Sequence, residues 1–310
     1  MTTASVVAAE KQRPDTAAAP TRFRAGRVVR VTFVTALLSL LALLVLMPII
    51  WLAIASTKNQ SDLFKLGAFS APAHVALWSN VSHAFHAQGG ILKYWLINSG
   101  IYAVSISLGS TYLSALAGYA ITKLTFPGKR VLRAVIIGSL MVPTAVLVLP
   151  LFVLEAKLHL VNNYAGVILP SLLSAFGVFF MMVYFQESLP DPLIDAAQVD
   201  GASHWRIFHR IALPMARPGL VTLVLILFIA SWNNYFLPLV LLSNQKLFPV
   251  TVGLSLWVSN LQSTVGGQGG LAYPDVIVST AMSIIPTLFA FPFLQGFVAR
   301  GMTLGSLAGE

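Results

Sequence analysis

The chain has 310 residues, only 9% of them charged, and a mean hydropathy of +0.81. That is too apolar for a water-soluble domain and places it among membrane proteins. Cysteine is absent, which excludes disulfides, thiolate metal sites and cysteine nucleophiles, and the net charge of +9 reflects where the basic residues sit along the chain rather than a nucleic-acid partner.

A span needs about 20 mostly apolar residues, and six blocks of that kind are predicted. Residues 1–30 are a basic arm, rich in Ala and Thr and disordered by composition, that ends in Arg22, Arg24, Arg27 and Arg30. The first block, about 31–55, is longer than the roughly 7–15 residues of a signal-peptide core, so its Ala53-Ile54-Ala55 is not read as a cleavage site. An outward loop, 56–94, leads to the second block, about 95–121. Here Ala103, Ser107, Thr111 and Ala115 recur at four-residue spacing, as do Ser110, Ser114 and Gly118. Two adjoining stripes of small residues predict close helix packing in lipid. The third block, about 134–154, contains Pro143 and Pro150, and a short outward loop, 155–163, leads to the fourth, about 164–185. After a polar loop at 186–218 comes the fifth, about 219–242, with Trp232-Asn233-Asn234-Tyr235 and Pro238 inside it. An outward segment, 243–274, carries a predicted surface helix over 250–261 and a glycine-rich stretch near Gly266–Gly270. The sixth block is about 276–298. The transmembrane part is thus all-α, from 31 to 310.

Basic residues decide the orientation. Six lie in the arm, four in the loop after the second block, three in the polar loop and one in the tail, against Lys58, Lys65, Lys93, Lys157 and Lys246 on the other side. The positive-inside bias puts both termini and the polar loop in the cytoplasm. No Asp, Glu, Lys or Arg falls near the middle of a block, unlike a proton relay or ion pump, and a pathway of neutral groups suits a neutral polar solute. Asn233, Asn234 and Tyr235 are the candidate pathway residues. Pro238 has no amide donor, so the Asn234 carbonyl loses its usual partner four residues on. Two readings stand for the asparagines: contact with the hydroxyls of a neutral solute across a cavity, or hydrogen bonds between helices. No Walker A, GxSxG or HExxH pattern occurs, and no metal site is expected. His204 and His209 are read as surface residues and His83 and His86 as loop residues.

The polar loop carries Asp191, Asp195, Asp200, Arg206, His209, Arg210 and Arg217. Asp191 is placed to cap a helix with Pro192 in its first turn, and Gly201 to end it in a left-handed conformation. Ser203 is placed to cap a second helix with Trp205, Phe208 and Ala212 on one side, which Leu213-Pro214 should stop. The loop is thus two short helices at a glycine elbow, with small and apolar side chains outward, suited to docking a partner.

Asp195-Ala196-Ala197, Gly201, Ile211, Leu213 and Pro214 resemble the EAA signature of binding-protein-dependent ABC importer permeases at complete spacing, with Asp195 where that family has Glu. Asn98-Ser99, Gly118-Tyr119-Ala120, Phe126-Pro127-Gly128-Lys129, Met141-Val142-Pro143, Leu149-Pro150-Leu151 and Trp232-Asn233-Asn234-Tyr235 are similar to the carbohydrate branch. The tail Arg300–Gly305 is similar to the maltose-permease G-type subunit, and Asn163 stands where that family often has Thr. The resemblance covers residues 31–305. It implies a type I importer permease fold with six transmembrane helices in a bacterial or archaeal plasma membrane, working as a non-catalytic pathway subunit for a di- or oligosaccharide. The implied partners are a second homologous permease, two cytoplasmic ATPase subunits that bind ATP and magnesium, an extracytoplasmic solute-binding protein and lipid. The chain itself binds no cofactor and no nucleic acid. Asp195, Ala196, Ala197, Asp200, Gly201, Ile211, Leu213 and Pro214 are the implied ATPase-docking residues, with a coupling helix at 192–201. The alternatives are a permease for glycerol phosphate or another polyol derivative, and a stand-alone secondary transporter, which should show internal repeats and ionisable groups at mid-membrane.

Overall fold

A computed structural model describes residues 22–263 and 270–306, so most of the arm and of the glycine-rich stretch lie outside it. The chain divides into two units, Met1–Trp51 and Leu52–Glu310. The first is represented by most of α1 (Arg22–Ser56), one long apolar helix with Pro48 inside. In the second, α2 (Gln60–Lys65) and α3 (Leu77–His86) interrupt what reads as a plain loop. They hold together because Lys58, only 2% exposed, donates from Nζ to the carbonyls of Gly67 (2.7 Å) and Ala68 (3.3 Å). The Asn80 amide caps the Ser56 and Lys58 carbonyls in turn.

The central element is α4 (Ile91–Lys123). It is followed by α5 (Lys129–Ser139), α6 (Thr144–Lys157), α7 (Tyr164–Ser171), α8 (Ala175–Ser188), α9 (Asp191–Val199), α10 (His204–Ile207), α11 (Leu213–Met215), α12 (Arg217–Trp232), α13 (Phe236–Leu241), α14 (Val250–Ser263) and α15 (Tyr273–Ser306). No strand occurs among the described residues. Among the described residues four helical stretches are long and apolar enough to cross a membrane alone, and two bent pairs, each taken as one span, raise the number to six. One pair is α5 with α6, turned by 108° at the residues before Pro143; the other joins residues 204–215 to α12 at 79°. The third block is therefore a broken pair, not one rod. A proline lacks an amide donor and disfavours helical geometry in the residue before it. The fourth block breaks more gently after Pro170, where Ser174 caps the restarted helix α8.

Both small-residue stripes are packing faces. Ser110, Ser114 and Gly118 are buried on α4, and α4 packs against α8 and α12. A Cβ on Gly118 would sit 2.7 Å from the Met181 Cβ, and one on Gly177 would collide with the Ser114 hydroxyl. Backbones that close are reached only with small residues, and dispersion supplies the association in lipid.

At the opposite end from Lys123, α4 grips the segment before α14. Trp95 Nε1 donates to the Gln245 carbonyl (2.8 Å), the Asn98 amide to Lys246 and Phe248, and the Tyr102 hydroxyl to Leu247. Ser99 Oγ accepts from the Val250 amide, and the Tyr164 hydroxyl donates to Asn98 Oδ1. Gly253 then lets α14 lie against the Trp95 ring, which would overlap any Cβ there. Residues 250–263 are helical, two residues beyond the predicted surface helix.

Candidate functional site

The segment 186–218 folds as two helices at an elbow. Leu189 and Pro190 are extended, and α9 starts directly after them. Asp191 is its first residue, not its cap; Pro190 takes the cap position and Asp191 instead meets Lys123 of α4, with Nζ 2.7 Å from Oδ1. Gly201 has φ +78°, the left-handed turn predicted for it, and a Cβ there would meet no other part of the chain. The Ala202 amide donates to the Ala197 carbonyl and the Gly201 amide to Gln198, which closes the end of α9. Ser203 caps the second helix by accepting from the Arg206 amide.

That helix does not stop at Leu213-Pro214. Its middle, Phe208–Ala212, is a π turn, and the chain stays helical through Met215. A wider turn shifts the hydrogen-bond register, so the donor that Pro214 lacks leaves no gap in the ladder.

The signature residues divide between two faces. Asp195, Ala196, Asp200, Gly201 and Pro214 are exposed, while Ala197, Ile211 and Leu213 are half-buried and pack against the core. Trp205, Phe208 and Ala212 do not face outward together as the sequence suggests: Phe208 and Ala212 are buried with Ile194 and Ile207, which sequence reading missed, against Tyr119 of α4 and Phe185 of α8, because the core beneath takes the larger apolar face. Ile194 and Ala197 on α9, and Ile207, Phe208, Ile211 and Ala212 beyond the elbow, each recur at helical spacing, a period that could have revealed that face. Val199 (88% exposed) and Trp205 (62%) remain on the outer surface. The histidines are not idle: the His209 ring lies 4.2 Å from the Trp205 ring, its Nδ1 faces the Trp205 carbonyl and its Nε2 lies 3.1 Å from the Tyr112 hydroxyl. His204 Nδ1 lies 3.5 Å from the Tyr119 hydroxyl.

The candidate pathway residues sit elsewhere, at the break between α12 and α13. The Asn233 amide donates to the Ile229 carbonyl of its own helix (2.8 Å) rather than to a neighbouring helix. The Asn234 carbonyl, freed by Pro238, accepts from Thr251 Oγ1 of α14 (2.8 Å). The Tyr235 hydroxyl pairs with Ser255 Oγ (3.1 Å). The bonds that tie this break to other helices therefore run to Thr251 and Ser255 of α14 and from Trp232 Nε1 to the Ser283 carbonyl of α15 (2.9 Å), and Asn233 and Tyr235 stay exposed. Among the described residues no group of three or more His, Asp or Glu is arranged to hold a metal.

Residues 110–304 match the family model described as the binding-protein-dependent transport system inner membrane component. The chain belongs to this family. It is an ABC importer permease, a multi-pass plasma-membrane protein and a non-catalytic subunit. It is 31% identical to the arabinooligosaccharides transport system permease protein AraQ of Bacillus subtilis over 84% of this chain and 90% of that one. It is 29% identical to the diacetylchitobiose uptake system permease protein NgcG of Streptomyces coelicolor, over 84% and 83%. It is 30% identical to the sn-glycerol-3-phosphate transport system permease protein UgpE of Yersinia pestis, over 82% and 89%. Among solved structures, a bacterial ABC transporter involved in the import of the acidic polysaccharide alginate contains a chain that superposes with a TM-score of 0.76 at 25% identity, covering 88% of this chain and 97% of that one.

Proposed function

We propose that the permease forms half of the pathway of an ATP-driven importer for a di- or oligosaccharide, and that the elbow at 186–218 is where a cytoplasmic ATPase docks. The observation that carries this reading is the elbow itself. One face is locked into the core through Ile194, Ile207 and Phe208, while Asp195, Ala196, Asp200, Val199 and Trp205 present a mixed acidic and apolar surface outward. A rigid seat with an exposed apolar rim suits a partner that must push on it, and Asp195 suits a basic residue of that partner. A second homologous permease, two ATPases holding ATP and magnesium, and an extracytoplasmic solute-binding protein complete the assembly. Sugar is favoured by the relatives named for arabinooligosaccharide and diacetylchitobiose transport, and by blocks that lack ionisable groups at their centres. Asn233, Asn234 and Tyr235 are proposed as hydroxyl contacts because a broken, polar stretch within a span is tolerated where it lines a cavity. Closer kinship with the maltose-permease G-type subunit rests on sequence motifs alone.

The relative named for sn-glycerol-3-phosphate supports a second reading, a polyol phosphate. The two part on one measurement. In the complete complex, ATP hydrolysis should rise when the binding protein carries arabinotriose or diacetylchitobiose and stay basal when it carries glycerol 3-phosphate. The reverse pattern would replace the sugar reading with the second one.

A further inference from the structure

The joint between α8 and α9 is short and extended. Leu189 has φ −121°, ψ 97° and Pro190 φ −65°, ψ 135°. Such a two-residue connection has few hydrogen bonds of its own, so that beside the apolar packing of Leu189 and Ile194, which has no fixed direction, little restrains α9 from swivelling there. Lys123, the last residue of α4, closes it. Its Nζ donates to the Leu189 carbonyl at 2.5 Å and to Asp191 Oδ1 at 2.7 Å. The lysine side chain is 6% exposed although Asp191 is 77% exposed. A largely buried ammonium aimed at a carbonyl within the joint and at a carboxylate just beyond it is costly to place unless both partners stay put. The end of α4 is itself held, because Lys129 Nζ donates to the Thr122 and Leu124 carbonyls. Tyr112 and Tyr119, which lie eleven and four residues before Lys123 on α4, meet His209 and His204. One helix therefore touches both halves of the elbow, and Lys123 is its charged contact.

We propose that Lys123 is a positioning residue that fixes α9 to α4, so that a push on the elbow moves the second span instead of being absorbed at Leu189–Pro190. This inference rests on the docking reading above. Asp191 supplies a second acceptor and the Leu189 carbonyl the first, so the side chain needs length and charge but not one particular shape.

The test uses the complete complex with its ATPases, reconstituted in nanodiscs, and exploits the cysteine-free chain. Spin labels at Leu193→Cys, an exposed position of α9 away from the Asp195 and Val199 face, and Leu108→Cys on an exposed position of α4 report the distance between the two helices, without nucleotide and after trapping with ATP and vanadate. With Lys123 present, the distance distribution should be narrow and the same in both states, because the helices move together. In Lys123→Met the buried stem is kept and the charge lost; the distribution should broaden and its maximum shift on trapping, with the ATPases still co-purifying. Lys123→Arg should restore the narrow distribution, and Asp191→Asn should fall between, since the Leu189 carbonyl remains. The proposal is overturned if Lys123→Met stays as narrow and unmoved as the parent, even where its melting temperature drops, because that is a purely structural role. The docking reading fails separately: it falls if Gly201→Asp retains its ATPases and full hydrolysis, whatever the Lys123 variants do.

Discussion

Gly201 shows how much one backbone angle decides. At φ +78° an L-residue costs about 1–2 kcal/mol, yet a Cβ there touches nothing in the chain. Gly201→Ala should therefore lower the stability of the elbow slightly and leave ATPase binding largely intact. Gly201→Asp adds a charged side chain to the exposed face and should abolish co-purification of the ATPases while circular dichroism stays unchanged. If Gly201→Asp supports normal hydrolysis, the elbow is only a connector. Gly118 is the opposite case, since its φ is ordinary and its neighbour is not: the Met181 carbonyl carbon and the Met182 amide nitrogen lie 2.9 and 3.0 Å from a built Cβ. Gly118→Val should reduce the yield of folded permease on gel filtration. Glu155, placed by sequence in a loop, lies on the last turn of α6, 2% exposed, with no partner for Oε2 among the described residues. An unsatisfied buried oxygen contributes nothing to stability, so Glu155→Met should leave the melting temperature equal or higher; a clear drop would reveal a partner for the carboxyl.

Among the elements, the broken helices are where sequence and structure differ most instructively. Pro238 frees the Asn234 carbonyl, which could be read from spacing; that Thr251 answers it could not, because the two residues are brought together only when α14 packs beside the break. Thr251→Val keeps the shape and removes the donor. It should destabilise the permease by about 1 kcal/mol, the net worth of an ordinary hydrogen bond to a half-buried acceptor, read as a lower midpoint in thermal denaturation. Asn233→Leu should cost less, because its amide bonds only to Ile229 of its own helix. If Asn233 touches solute, the same variant should assemble normally and show weaker apparent affinity in uptake; unchanged uptake would remove it from the pathway. The elbow helices follow the same logic: Gly201 and Ser203 behave as their chemistry dictates locally, whereas the π turn before Pro214 and the pairing of Asp191 with Lys123 depend on α4 and on the core beneath.

For the whole molecule, the basic bias predicts that both termini and the elbow face the cytoplasm. Single cysteines at Ser70, Ser203, Ser263 and Ser306 give the check. An impermeant thiol reagent on intact cells should label the first and third only, and labelling of Ser203→Cys from outside would refute the orientation. Membrane class, the helical nature of every block and the elbow at Gly201 were determined by the sequence alone, since hydropathy, helical spacing and a left-handed glycine are local properties of consecutive residues. Tertiary structure decided which helices are broken rather than continuous, which face of the elbow is buried, and that the Asn98-Ser99 pair holds residues 246–250. The buried face and the Asn98-Ser99 grip depend on groups far apart in the sequence, up to 151 residues for Ser99 and Val250, that share one packing contact or one hydrogen bond. In lipid, where polar backbone must find a protein partner, such pairings select the arrangement that local preference leaves open.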